Sequence, residues 1–248
     1  MRAVILAAGL GTRLYPLTKN RPKALVEVGG VAMLGHTLRR MSTCGIHDIV
    51  VNVHAFADKV ENYLHEFALT NPEIHISVSD ERSLLLETGG GLKKMQSLLS
   101  DDAFIVHNVD ILSTVDLNEL QSVDQNYHNK FPLHLGTLVV RKTMSDRYFL
   151  FNEEGILCGW ENEKTGEQKI SRPKEKNLRK FGFTGIHLLH PELFTLMTED
   201  GVFSITDVYL RLAREYEFRM LDASKATWFD IGNKEQLQLA EHNGGWTK

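Results

Sequence analysis

Ala3-Val4-Ile5-Leu6-Ala7-Ala8-Gly9-Leu10-Gly11-Thr12-Arg13-Leu14 is the stretch that decides the fold of this chain. The run Ala3–Ala8 is apolar, uncharged and of strand length, so it reads as a strand buried on both faces. Its shortness, and its break into Gly-Leu-Gly-Thr-Arg where a signal peptide would have a small-residue cleavage site, argue against a secretory leader. Gly9 and Gly11 let the backbone turn sharply and bring successive N–H groups close to a phosphate chain. Taken by themselves the two glycines fit a plain strand-to-helix turn equally well.

Outward from this segment, strand-length apolar runs alternate with helix-like segments. Leu34–Cys44 reads as a helix with Leu34, Leu38 and Met41 on one face, Ile49–Val53 as a strand and Ala57–Leu69 as a helix. Ile74–Val78, a helix near Leu92–Leu99, Phe104–Val106, a helix over Leu117–Tyr127 and a strand over Leu135–Val140 continue the alternation. Such repetition predicts an α/β fold, a Rossmann-like and mostly parallel sheet flanked by helices. Beyond it, Tyr148–Asn152 and Ile156–Trp160 read as a hairpin turning at Gly155, Glu161–Arg179 as a polar surface loop, and Phe181–Leu189 as a buried strand. Helices follow around Pro191–Met197, Asp207–Glu215 and Lys234–Glu241. No linker divides the 248 residues, so one domain is expected, with a nucleotide-binding part over about 1–130 and a sugar-phosphate part over about 131–248.

Composition narrows the function classes. Apolar residues make up 42% and charged residues 24%, as in ordinary globular proteins, and the formal net charge is -4. No basic excess is left to neutralise a nucleic-acid backbone, so bound phosphate must be met by a few local groups. Cys44 and Cys158 are too few for a disulfide framework or a thiolate metal site, and read as buried free thiols. No apolar run approaches the roughly 20 residues that span a bilayer. A cytoplasmic protein without nucleic-acid or membrane partners is expected, and a homo-oligomer is left open.

The residues after the glycine loop exclude two common phosphate-binding loops. No Gly-Lys-Ser/Thr follows as a Walker loop requires. The dinucleotide fingerprint needs a small residue where Leu14 stands, and an acidic residue near Leu34. The loop is followed instead by Arg13 and by Arg21-Pro22-Lys23, cations able to clamp a triphosphate. Leu-Ala-Ala-Gly-x-Gly-Thr-Arg-Leu-x-Pro-Leu-Thr followed by Pro-Lys resembles the opening of the sugar-phosphate nucleotidyltransferases. The resemblance implies a GT-A-like fold, a loop of Ala8, Gly9, Gly11 and Thr12 wrapped around the nucleotide phosphates, and roles for Arg13 and Lys23 in catalysis and nucleotide binding.

Asp110 and Asp230 end two apolar stretches, Phe104–Asp110 and Thr227–Asp230. Carboxylates at strand ends suit Mg²⁺, which takes one or two of them and keeps substrate oxygens as its other ligands. By residue type alone the turn or cap reading is favoured for each. Asn108-Val-Asp110 and Trp228-Phe-Asp230-Ile-Gly resemble the family's Asn-x-Asp and Trp-x-Asp-Val/Ile-Gly elements, which implies metal ligation by both aspartates, a catalytic part for Asp110 and a nucleotide contact for Asn108. The family's Thr is here Asn233, still able to cap a helix. Glu163-Lys164 resembles the family's Glu-Lys-Pro, without its proline, and Thr184-Gly185 a strand beside the sugar. These four are the expected sugar-phosphate residues.

Ser79-Asp-Glu81-Arg82…Leu86-Glu87-Thr88-Gly89-Gly90-Gly91 resembles a segment of the N-acetylmuramate 1-phosphate uridylyltransferases within that family. It implies base contacts through Glu81, Gly89 and Gly90. Glu81 would suit the adjacent N–H donors of guanine, so a guanylyltransferase acting on mannose or heptose 1-phosphate stays open beside a uridylyltransferase. A glycosyltransferase of the same broad fold and a non-catalytic nucleotide-sugar sensor are the remaining rivals. The expected partners are a nucleoside triphosphate and a sugar 1-phosphate. The eleven histidines show no ligand spacing, and His54 and His107 read as packed or hydrogen-bonded residues.

Overall fold

The computed structural model describes residues 1–99 and 101–243. In chain order the elements are β1 (Arg2–Leu6), β2 (Glu27–Val28), β3 (Val31–Ala32), α1 (Met33–Thr43), β4 (Asp48–Val53), α2 (Ala57–Thr70) and β5 (His75–Asp80). Next come α3 (Glu87–Lys94), β6 (Phe104–Asn108), β7 (Ile111–Ser113), α4 (Leu117–Lys130), β8 (His134–Arg141), β9 (Arg147–Phe151) and β10 (Leu157–Asn162). The chain continues through β11 (Glu167–Ile170), β12 (Arg179–Leu189), α5 (Glu192–Leu196), α6 (Ile205–Leu212), β13 (Glu217–Asp222), β14 (Trp228–Asp230) and α7 (Lys234–His242).

The order β11-β10-β9-β12-β6-β1-β4-β5 runs through a mixed sheet, with β8 joined to β12 and β13 joined to β8. Strands β6, β1, β4 and β5 are parallel, as βαβ repetition requires, and the antiparallel pairings join β12 to β6, β8 and β9 and β10 to β9 and β11. Helices cover both faces, because alternate residues of the central strands point to opposite sides. Ala3, Ile5, Val51 and Ile105 join one core with α1, α2 and α4, while Val4, Val50 and Val106 join another with α3, α5 and α6. A third, smaller core gathers Leu14, Met33, Leu112, Ile231, Leu237 and Ala240. It fastens the segment after the glycine loop to β7 and α7.

The sequence elements appear with shifted ends, and three expectations are corrected. The helix placed at Leu92–Leu99 starts at Glu87, so Gly89–Gly91 are helical. The polar stretch Glu161–Arg179 holds an edge strand, β11, paired with β10; its four exposed residues carry no apolar alternation by which to be read. Cys44 is only half-buried, whereas Cys158 is buried as expected.

Candidate active site

A cavity of about 380 Å³ opens over the carboxyl ends of β1 and β6 and is lined by Leu6, Ala8, Gly9, Gly11, Thr12, Arg13, Lys23, Asn108 and Asp110. Open α/β sheets bind ligands at this end of their strands. Asn52 fixes the exit of β1 by accepting the Ala7 N–H at 2.6 Å. Gly11 adopts a left-handed φ of 66° and packs on Lys23, whose Cβ would lie 2.8 Å from an added Cβ. Gly9 faces open space inside the cavity. The N–H groups of Gly9, Leu10, Gly11 and Thr12 donate to no acceptor among the described residues, which leaves them to an anion. The expected loop residues are thus gathered at one cavity.

Asp110 follows β6, and Asp230 ends β14, which pairs antiparallel with β7 so that Asp230 stands opposite Ile111. The Ile231 N–H donates to the Asp110 carbonyl at 2.8 Å, which closes the two carboxylates on one another. Burial, and then the charge of Asp110, hold the Asp230 carboxyl above its usual range against the opposing pull of Lys23 and Arg13. Lys23, itself buried, forms an ion pair with Asp110. Asp230 Oδ1 is buried and accepts no hydrogen bond among the described residues. An orphaned buried carboxylate oxygen beside a second carboxylate is a donor set that a divalent cation fits, since the cation supplies the missing partner and cancels the repulsion.

The base-contact expectation is corrected. Glu81 is fully buried: Oε1 accepts from Asn52 Nδ2 at 2.7 Å and Oε2 from the Leu86 N–H at 3.2 Å. It braces the strand ends and does not line the cavity. Gly89 and Gly90 pack against Phe203 and Gly201, where a Cβ would collide, so their glycines serve helix-to-loop packing. The residues of this segment that line the cavity are Leu85, Glu87 and Thr88. Glu87 holds a left-handed φ of 60°, which costs a non-glycine residue energy and marks a candidate functional position.

A second cavity of about 500 Å³ shares Arg13, Asn108, Asp110 and Gly232 with the first and extends to Arg141, Phe183, Thr184, Gly185, Trp228 and Asp230. Residues from both sides of position 130 thus line each cavity. Thr184 spends its hydroxyl on the Val139 carbonyl at 2.8 Å. At Gly185, φ is +80°, and an added Cβ would meet Asn108 Nδ2 at 2.8 Å, so this glycine makes room for Asn108. Glu163 and Lys164 lie exposed in the β10–β11 turn and line neither cavity; Glu163 pairs with Lys180 at 3.0 Å, and the Lys164 N–H donates to Asn162.

Asp124, His134 and His190 form a buried cluster whose candidate ligand atoms lie within 4.8 Å of one another. Asp124 accepts from both imidazoles at 2.8 Å and from Thr137 at 2.7 Å. His134 starts β8, and Arg141, which lines the second cavity, ends it; at ~3.3 Å per residue the two ends of the strand stand roughly 23 Å apart. Helix and strand partners distant in sequence build it, so no spacing rule could have found it. His54 and His107 are hydrogen-bonded residues as expected, each donating from Nδ1 to a backbone carbonyl, that of Glu81 and that of Asn108.

The fold and this strand-end site, with its free loop amides, two cations and two convergent carboxylates, define the class of protein. The nucleotidyl transferase family model matches residues 2–243, and the chain belongs to that family, the sugar-1-phosphate nucleotidyltransferases. It is 31% identical over 239 residues to the N-acetylmuramate alpha-1-phosphate uridylyltransferase of Caulobacter vibrioides, covering 96% of this chain and 95% of that one. A mannose-1-phosphate guanyltransferase of Neurospora crassa is 28% identical over 242 residues, covering 96% of this chain and 62% of the relative. Among solved structures, UDP-glucose pyrophosphorylase from Acinetobacter baumanii superimposes with a TM-score of 0.76 at 20% identity, covering 98% of this chain and 93% of that one, and shares the fold.

Proposed function

We propose that the chain joins UTP to an N-acetylated amino sugar 1-phosphate, releasing pyrophosphate with the help of Mg²⁺. A phosphate oxygen of the sugar 1-phosphate attacks the α-phosphorus in line, the bond to the β-phosphate breaks, and pyrophosphate departs. A phosphate monoester dianion is already nucleophilic, so the task is positioning and charge neutralisation. The observation that carries the reading is the convergence of Asp110 and Asp230 where the two cavities meet.

The loop amides and Arg13 bind the β- and γ-phosphates and stabilise the charge that develops on the leaving group. Lys23, pinned by Asp110, presents its ammonium toward the same phosphates. Asn108 orients the nucleotide at the seam of the cavities. Asp110 and Asp230 would hold Mg²⁺, which neutralises phosphate charge and aligns the α-phosphate when bound.

Similarity to uridylyltransferases over nearly the whole chain supports UTP. The guanylyltransferase reading has its own support in the mannose-1-phosphate relatives, but loses the argument from Glu81, which is fully buried and does not line the cavity. A matrix of triphosphates against sugar 1-phosphates, scored for pyrophosphate with Mg²⁺ and with chelator, tests the proposal. The expected maximum is UTP with an N-acetylated amino sugar 1-phosphate. GTP preferred at saturating acceptor replaces the base assignment, and no pyrophosphate from any pair removes the reaction.

A further inference from the structure

We infer that Arg141, at the end of β8, grips the phosphate of the sugar 1-phosphate, the task that sequence resemblance gives to Lys164; the inference rests on the sugar-1-phosphate reading of the second cavity.

The acceptor phosphate is a dianion that must approach a triphosphate, so its pocket needs a cation of its own. Lys164 lies outside the second cavity in an exposed turn, and nearby Lys180 is held by Glu161 and Glu163. The cations that line the cavity are Arg13 and Arg141. Arg13 also lines the nucleotide cavity and leans over Gly232 beside Asp230, so it belongs to the triphosphate side. Arg141 lines the acceptor cavity alone.

Its surroundings are those of a cation waiting for an anion. Arg141 has no ion pair among the described residues, and its Nε is buried without a hydrogen-bond partner. Half-buried guanidinium groups are normally paired. Here the guanidinium is placed 5.1 Å from the centre of the Trp228 ring. Stacking supports a guanidinium through its face and leaves its edge donors free for a phosphate fork. Trp228 is fixed in turn, because its indole N–H donates to the Thr184 carbonyl at 2.9 Å.

The backbone around Arg141 is also fixed. The Ala223 N–H donates to the Val140 carbonyl and the Lys142 N–H to Ser224 Oγ, both at 2.8 Å. These bonds tie the end of β8 to the turn that leads into β14. Arg141 and Asp230 thus share one rigid corner, with the acceptor cavity between them. Arg141 is the third cation of the site, after Arg13 and Lys23, and the one assigned to the acceptor.

The experiment compares wild type, Arg141→Ala, Arg141→Lys and Lys164→Ala by steady-state kinetics and by calorimetric titration with N-acetylmuramate 1-phosphate. Circular dichroism and thermal melting check each fold. Loss of charge-assisted hydrogen bonds predicts a roughly 10- to 100-fold rise in acceptor KM and Kd for Arg141→Ala. Arg141→Lys recovers part of this, UTP KM is unchanged, and Lys164→Ala behaves as wild type. An unchanged acceptor Kd in folded Arg141→Ala, a Lys164→Ala variant that carries the whole loss, or a wild type that binds no sugar 1-phosphate overturns the inference. Wild type that binds the acceptor yet releases no pyrophosphate overturns the reaction instead, and the titrations still decide Arg141.

Discussion

Asp230 and Asp110 are brought together by the pairing of β14 with β7 and by the hydrogen bond from the Ile231 N–H to the Asp110 carbonyl. Burial first, and then the charge of Asp110, hold the Asp230 carboxyl above its usual range. Removing the Asp230 charge should therefore act in opposite directions on folding and on turnover, whereas Asp110 is paired with Lys23 and its loss should destabilise. Asp230→Asn should melt at the same temperature or higher, while its Mg²⁺-dependent pyrophosphate release falls by ~100-fold or more, the scale of a lost metal contact. Melting curves and a Mg²⁺ titration of activity check this. Full activity with an unaltered Mg²⁺ dependence would make Asp230 structural.

The two loop glycines should respond differently to alanine. Gly9→Ala adds a methyl group to open space at a residue without a left-handed φ. Its stability should hold, while KM for the triphosphate rises as the methyl takes phosphate space. Gly11→Ala meets Lys23 Cβ and Thr18 Cγ2 at a φ of 66°, so it should cost at least ~1–2 kcal/mol of stability. Denaturant titration alongside nucleotide kinetics separates them, and equal loss of stability in both would count against the open space at Gly9.

Leu14 predicts how far the site depends on the small third core. It is fully buried there with Leu112, Ile231 and Leu237, and Leu14→Ala should cost about 2–5 kcal/mol. The same variant should lose turnover under conditions where it remains folded, because the core seats Arg13 on one side and Ile231 on the other. Activity at native levels in a destabilised but folded variant would separate packing from catalysis.

Acid should weaken the fold through two histidines beneath the site. Burial pushes His107 down to about 4, with Arg40 adding to it, and burial pushes His187 down to about 3, with His107 adding to it. The unfolded chain takes up these protons near 6.5, whereas the native state refuses them until about 4 and 3. Stability is therefore level above pH 6.5 and falls below it, by about 1.4 kcal/mol per pH unit for each histidine. His187→Gln should remove close to one proton from that slope in urea titrations at pH 6.5 to 5. An unchanged slope would mean that His187 is protonated in the native state.

Much of the nucleotide half was legible because local rules and global fold agree there. Ala3–Ala8 is apolar through its length because β1 sits between β4 and β6 with both faces covered. Asn233 caps α7 through the Gln236 N–H, as its side chain and place predict. The acceptor half was less legible, for two reasons. β11 is an exposed edge whose pairing shows only in the backbone, and β13 is a short strand recruited by β8 across a long separation. Glu81 misled because a motif records which residues stand together without recording which way they point. Arg141 carries no motif, and its significance comes from Trp228, a neighbour made only by folding.

The third core also sets an order of events during synthesis. Leu14 precedes its partners Ile231, Leu237 and Ala240 by more than 200 residues of chain. The glycine loop is therefore made well before the wall that seats it and before the second carboxylate. A nascent chain can build the parallel strands and remain unable to assemble the triphosphate site. The wall of the triphosphate site is complete only when α7 has packed on Leu14.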